Sequence, residues 1–219
     1  GHYVGTTKDS GRYSANYVSS NNAANNELQE KNMWIGRITQ DINLGVEGLT
    51  TQVGGSYWTS EIENKTTAET GRRNAWALFS KINYGNLGLT LTGGKNDVIN
   101  KDLTDPVASL MGAYDSEYSV ANKATYYTAD LGYTFKNVKQ IGNITPYFMY
   151  SQYDKDLAGA KDSIRNILGV SVEHKKLALT AEYIMSKNDP FIGGNQDSLA
   201  MGDDNQWNKL LNLTLFYYF

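Results

Sequence analysis

Imidazole and thiolate chemistry have little to work with in this chain, whose 219 residues include two histidines and no cysteine. His174 sits in a short turn beside Lys175 and Lys176, a solvated setting, and His2 lies at the terminus, so neither belongs to a plausible triad. The absence of cysteine removes disulfides, thiolate metal sites and cysteine nucleophiles together. Asp203-Asp204 is the remaining acid–base pair, but adjacent carboxylates in a Gly- and Asn-rich stretch are ordinarily just solvated. That stretch, 187–206, also carries Asp189 and Asp197, without the spacing of an EF-hand loop. The expectation is a protein that is not an enzyme and holds no metal or cofactor.

The remaining charges are better suited to lining water than to bond-making. Twenty Lys and Arg against 23 Asp and Glu give a net charge of -3, which supplies no general field for phosphate backbones, so nucleic acid is not an expected partner. Arg12, Arg37, Lys81, Lys136 and Arg165 fall on the same strand faces as Asp41, Asp130, Glu173 and Glu182. Mixed charge of this kind suits a water-filled wall that orients polar solutes. Arg37, Lys81, Asp130, Arg165 and Glu182 are the expected pore-lining set. The competing expectation is a narrow barrel in which such side chains pair and fill the interior.

These residues sit on segments with a period of two. At the C-terminus Leu211, Leu213, Leu215, Tyr217 and Phe219 alternate with Leu210, Asn212, Thr214, Phe216 and Tyr218. Similar alternation runs over 177–186, 163–174, 144–153, 124–136, 87–94, 73–84, 49–60, 32–43 and 11–19, giving about ten strands in one domain spanning 1–219. Short turns (44–48, 85–86, 137–143, 174–176) alternate with long polar stretches (20–31, 61–72, 95–123, 154–162, 187–206). Trp34, Trp76 and Trp207 lie near the long-loop ends of strands, and Tyr84, Tyr133, Phe135, Tyr217 and Phe219 near the short-turn ends. No run reaches the roughly 18 apolar residues of a membrane helix, and the mean hydropathy is -0.49. Strands that alternate lipid-facing and water-facing residues produce this average while still spanning a bilayer. The expected fold is therefore all-β, an antiparallel up-and-down transmembrane β-barrel. A soluble β-sandwich is the competitor.

The final run, Leu211-Asn212-Leu213-Thr214-Leu215-Phe216-Tyr217-Tyr218-Phe219, resembles the C-terminal assembly signal of Gram-negative outer-membrane β-barrel proteins. Leu215, Tyr217 and Phe219 carry that resemblance. Together with Asn143-Ile144-Thr145-Pro146-Tyr147, Asp162-Ser163-Ile164-Arg165-Asn166 and Lys187-Asn188-Asp189-Pro190-Phe191, it resembles the C-terminal portion of a general or carbohydrate-type porin over about the last hundred residues. The resemblance implies the bacterial outer membrane, with its lipid and lipopolysaccharide, the barrel-assembly machinery, and a homotrimer of 16- or 18-stranded barrels. Two alternatives stay open: a barrel of the roughly ten legible strands, and a 16-stranded porin lacking its first strands.

The function expected is passive diffusion of small hydrophilic solutes, ions or sugars. Loop 95–123 is the expected constriction, through Asp97, Asp102, Asp105, Asp115 and Glu117 and the apolar run 106–111, which needs a wall to pack against. The alternative is a closed barrel whose acidic outer loops act as adhesin, receptor or anchor. An outer-membrane hydrolase is a third reading.

Overall fold

The computed structural model describes residues 28–113 and 116–218. Among them there is no helix; all the regular structure is β. Ten strands form one antiparallel sheet: β1 (Leu28–Ile42), β2 (Leu49–Asn64), β3 (Glu69–Tyr84), β4 (Leu87–Ile99), β7 (Lys123–Tyr133), β8 (Phe135–Val138), β9 (Gly142–Lys155), β10 (Ser163–His174), β11 (Leu177–Lys187) and β12 (Asn208–Tyr217). Hydrogen-bonded neighbours follow chain order, with β8 a short side pairing on β9. The strand expected over 11–19 lies outside the described residues.

The tight connections come where residues tolerant of left-handed backbone fall between alternating runs. Gly85 has φ 58° in the turn from β3 to β4, and Asn137 has φ 54° between β7 and β9. Where a long loop was expected at 61–72, the strands continue instead to Asn64 and resume at Glu69, leaving a turn of residues 65–68. The charges that disguise this extension pair across strands, with Lys31 Nζ 2.5 Å from Glu63. Within 95–123, β5 (Ala108–Ala113) and β6 (Ser116–Ala121) form a separate hairpin.

Register gives the sheet two unlike faces. One cross-strand row reads Ile42, Thr51, Ile82, Leu89, Leu131, Phe148, Leu168, Tyr183, Leu211, one residue from each main strand. A single displaced register would turn every one of these to the other side. The opposite face carries the row Thr50, Asn83, Gly88, Gly132, Tyr147, Gly169, Glu182, Asn212. The closed barrel expected from the sequence is not present among the described residues: β1 and β12 are the two ends of the pairing order.

Candidate functional site: the polar face and its loop layer

At some positions of the polar face, aromatic side chains reach across neighbouring strands into room that a glycine leaves. A Cβ on Gly169 would stand 2.2 Å from the Tyr147 ring. With that space open, Tyr147 of β9 lies over β10 and donates its hydroxyl to Glu182 of β11 at 2.6 Å. Asn212 Nδ2 of β12 donates to the other Glu182 oxygen at 2.9 Å, so one carboxylate ties β9, β11 and β12 together across β10. Gly54 plays the same part for Phe79, whose ring lies 4.9 Å beneath the Arg37 guanidinium.

The expected pore-lining residues thus have different surroundings. Arg37 is stacked, and Glu182 is held by two donors. Arg165 makes a two-point ion pair with Asp189 at 2.6 and 2.7 Å, so its charge anchors the 187–206 loop. Lys81 and Asp130 share a row, with Thr90 between them, and both line a cavity of about 450 Å³ near the Gly85-Asn86 turn. Lys136, Asn83 and Tyr147 line it too.

The residues expected to constrict a pore are not brought together. Asp97 faces Lys123 at 4.0 Å. Buried Asp102 accepts from the Thr104 backbone and hydroxyl, and Asp105 from the Ala108 N–H at 3.0 Å, so both shape turns. Asp115 lies outside the described residues; Glu117 is described by its backbone alone, paired with Gly112.

The loop itself nevertheless lies against the sheet. Met111 packs on Leu28, Ile62 and Val98, which form a buried apolar cluster at the loop end of β1, β2 and β4. Beside this cluster Arg73 stacks on Trp58 at 4.1 Å, meets Glu30 at 3.6 Å and donates to Asn96 at 3.2 Å. Glu30 and Arg73 are charged polar-face residues that the sequence reading passed over. The alternation that places Lys81 on this face also places Arg73 there, eight residues earlier.

From this contact the loop layer continues across to the other strands. Ser119 N–H donates to the Gln196 carbonyl at 2.9 Å and Ala121 N–H to Leu199 at 3.0 Å. The Tyr118 and Phe191 rings stand 5.0 Å apart. Lys155, past the apolar stretch of β9, gives its ammonium to the carbonyls of Lys161 and Ser198. Burial holds its pKa down to about 8, opposed by Asp162. Donation from the Asn195 and Asp204 backbones, then from Ser198, with Lys161 nearby, pulls the Asp203 carboxyl below its usual range. Asp203 is thus fixed within the loop, as is Asp204, whose side chain accepts from the Gln206 N–H.

On the other face Leu211, Leu213 and Leu215 are each 67% exposed, and Tyr217 is exposed at the turn end; Phe219 lies outside the described residues. Trp34 and Tyr57 stand 6.4 Å apart toward the loop end, with Trp76 paired to Tyr57. Tyr133 and Phe135 meet at 4.9 Å toward the turn end. His174 ends β10 in the turn, exposed. Among the described residues no cluster of His, Asp and Glu is arranged to hold a metal ion. No protein-family model matches the chain, and no curated protein matches it.

Proposed function

We propose that the protein is an outer-membrane β-barrel channel for passive diffusion of small hydrophilic solutes. The observation that carries this reading is the uncovered apolar face, with its row from Ile42 to Leu211 on every main strand, backed by a charged face. Water-soluble monomers rarely expose a contiguous apolar patch beyond about 300–600 Å². From Trp76 to Tyr84, the aromatic limits of β3, the strand rises roughly 26 Å. Tilted by about 40°, that length projects to about 20 Å, most of the ~25 Å apolar band of outer-membrane barrels.

A bilayer also dictates what must happen at the edges. Unpaired N–H and C=O groups in hydrocarbon cost several kcal/mol each, so the sheet must close. Eight antiparallel pairings separate β1 from β12, so these two run in the same direction. One further strand between them, antiparallel to both, completes an all-antiparallel barrel of even count. The strand expected over 11–19 would run that way. Loop 95–123, resting on the polar-face cluster, is the constriction in this reading, and the C-terminal run ending in Phe219 is the assembly signal. The resemblance to porins adds a homotrimer to this proposal.

The continuous loop layer favours a second reading, a closed barrel whose outer surface acts as adhesin, receptor or anchor. Planar-bilayer recording of the detergent-refolded chain separates the two. Stable current steps with a reversal potential under a salt gradient are expected; an inserted, β-rich, heat-modifiable protein that passes no current would overturn the channel.

A further inference from the structure

Several charges elsewhere on the polar face are held by protein partners. Arg73 meets Glu30, Arg165 meets Asp189, Glu182 holds Tyr147 and Asn212, and Asp41 accepts from Gln52 at 2.8 Å. Lys81, Lys136 and Asp130, which line the cavity near the Gly85-Asn86 turn, have no hydrogen-bonding or ionic partner among the described residues. A cavity of about 450 Å³ lined by three charged side chains without protein partners offers a polar solute a set of complementary contacts in exchange for water.

The signs restrict that solute. Two ammoniums call for two carboxylates, and Asp130 calls for a cation; a simple dianion would leave Asp130 unpaired and repelled. Thr90, between Lys81 and Asp130 in register, and Asn83 add neutral polar groups along the wall. Lys81 and Asp130 lie two strands apart, roughly 9–10 Å between backbones. A five-carbon solute and the flexible lysine stem span that gap together. We propose that this cavity binds an amino dicarboxylate, its carboxylates on Lys81 and Lys136 and its ammonium on Asp130. The inference deepens the channel reading and rests on it: the site would hold such a solute briefly at the turn end of the pore.

Calorimetry on the detergent-refolded chain tests the site without requiring conduction, with glutamate and glutarate as probes, since glutarate keeps both carboxylates and lacks the ammonium. Saturable glutamate binding is expected, with glutarate at least about tenfold weaker, the scale of one lost charge-assisted hydrogen bond. Asp130→Asn should abolish that preference, and Lys81→Gln or Lys136→Gln should weaken glutamate by about tenfold or more. Equal binding of the two probes, or saturation by neither, would overturn the proposal, and this comparison on the unaltered chain decides even if a variant fails to fold. Bilayer conductance without glutamate saturation sinks the site and leaves the channel; glutamate saturation without conductance sinks the channel and leaves the site.

Discussion

Leu213, mid-strand in β12, and Ile62, near the loop end of β2, are both aliphatic residues in long antiparallel strands. Leu213 is 67% exposed, whereas Ile62 is fully buried under Met111 beside Leu28 and Val98. The loop end is built as a water-soluble protein is, with an apolar cluster, paired charges such as Arg165–Asp189, and side-chain amides satisfying turn carbonyls, as Asn100 does for Asp105 and Ala108. The apolar middle of the sheet has no such cover among the described residues, and in the proposed reading lipid supplies it. Under the proposed channel reading, a membrane would lie beside the residues that the protein leaves bare, and water beside those it covers.

The strongest way to break this comparison is to put charge on the bare face. Leu213→Arg is expected to cost about 2–4 kcal/mol of folding stability in lipid vesicles, while its neighbour Thr214→Arg, on the polar face, should cost far less. Denaturant titration in vesicles measures both, and equal costs would contradict the assignment of faces. Truncation gives a comparable effect at the other end. Ile62→Ala should lose about 2–4 kcal/mol through its cavity, in detergent as in lipid, because its neighbours are protein.

The anchoring of the loop layer gives a smaller effect. Asp189→Asn removes one partner of the Arg165 pair and should loosen the 187–206 loop by about 1.5–3 kcal/mol. Faster proteolysis within 187–206, with the sheet's circular dichroism unchanged, is the expected signature. The smallest effect is a pH dependence at Lys155. Its folded pKa lies near 8 and its ordinary value is 10.5, so below pH 8 both forms hold the proton and burial carries a constant cost. Between the two values the folded loop releases the proton while the unfolded loop keeps it, so loop stability should rise as pH rises through that window. Proteolysis should therefore be slower at pH 10 than at pH 7.5, after correction for protease activity, and Lys155→Met should remove the difference.

Much of the sheet was legible because period-two alternation survives to the strand ends. The hairpin of β10 and β11 falls at 163–174 and from Leu177, as the pattern placed it. Alternation failed where strands leave the apolar band. Past Tyr57 and Trp76 the outward positions become Glu61, Glu63 and Arg72, which resemble a loop in sequence while the backbone continues as strand. The β5–β6 hairpin was hidden for a related reason: its partners lie in its own loop and in 187–206, far apart in the chain.

The polar face was legible as a charge inventory but not as an arrangement. Alternation assigns Arg165 and Glu182 to it, but their partners Asp189, Tyr147 and Asn212 are set by cross-strand register and by a loop's path. The fit of Tyr147 over Gly169 needs the register of β9 on β10, which no local pattern specifies. The carboxylates of Asp102 and Asp105, expected in a constriction, are turn-forming groups, a use their short side chains favour where a backbone N–H lies two or three residues ahead.

The chain's lack of cysteine permits a direct test of the face assignment. Single cysteines at positions 211 through 215 of β12, each carrying a fluorophore, can be challenged in vesicles with lipid-borne and water-borne quenchers. The account predicts alternation: lipid quenching at 211, 213 and 215, and aqueous quenching at 212 and 214. Uniform aqueous quenching along β12 in a correctly folded, vesicle-associated protein would contradict it and point to a sheet that does not cross the membrane.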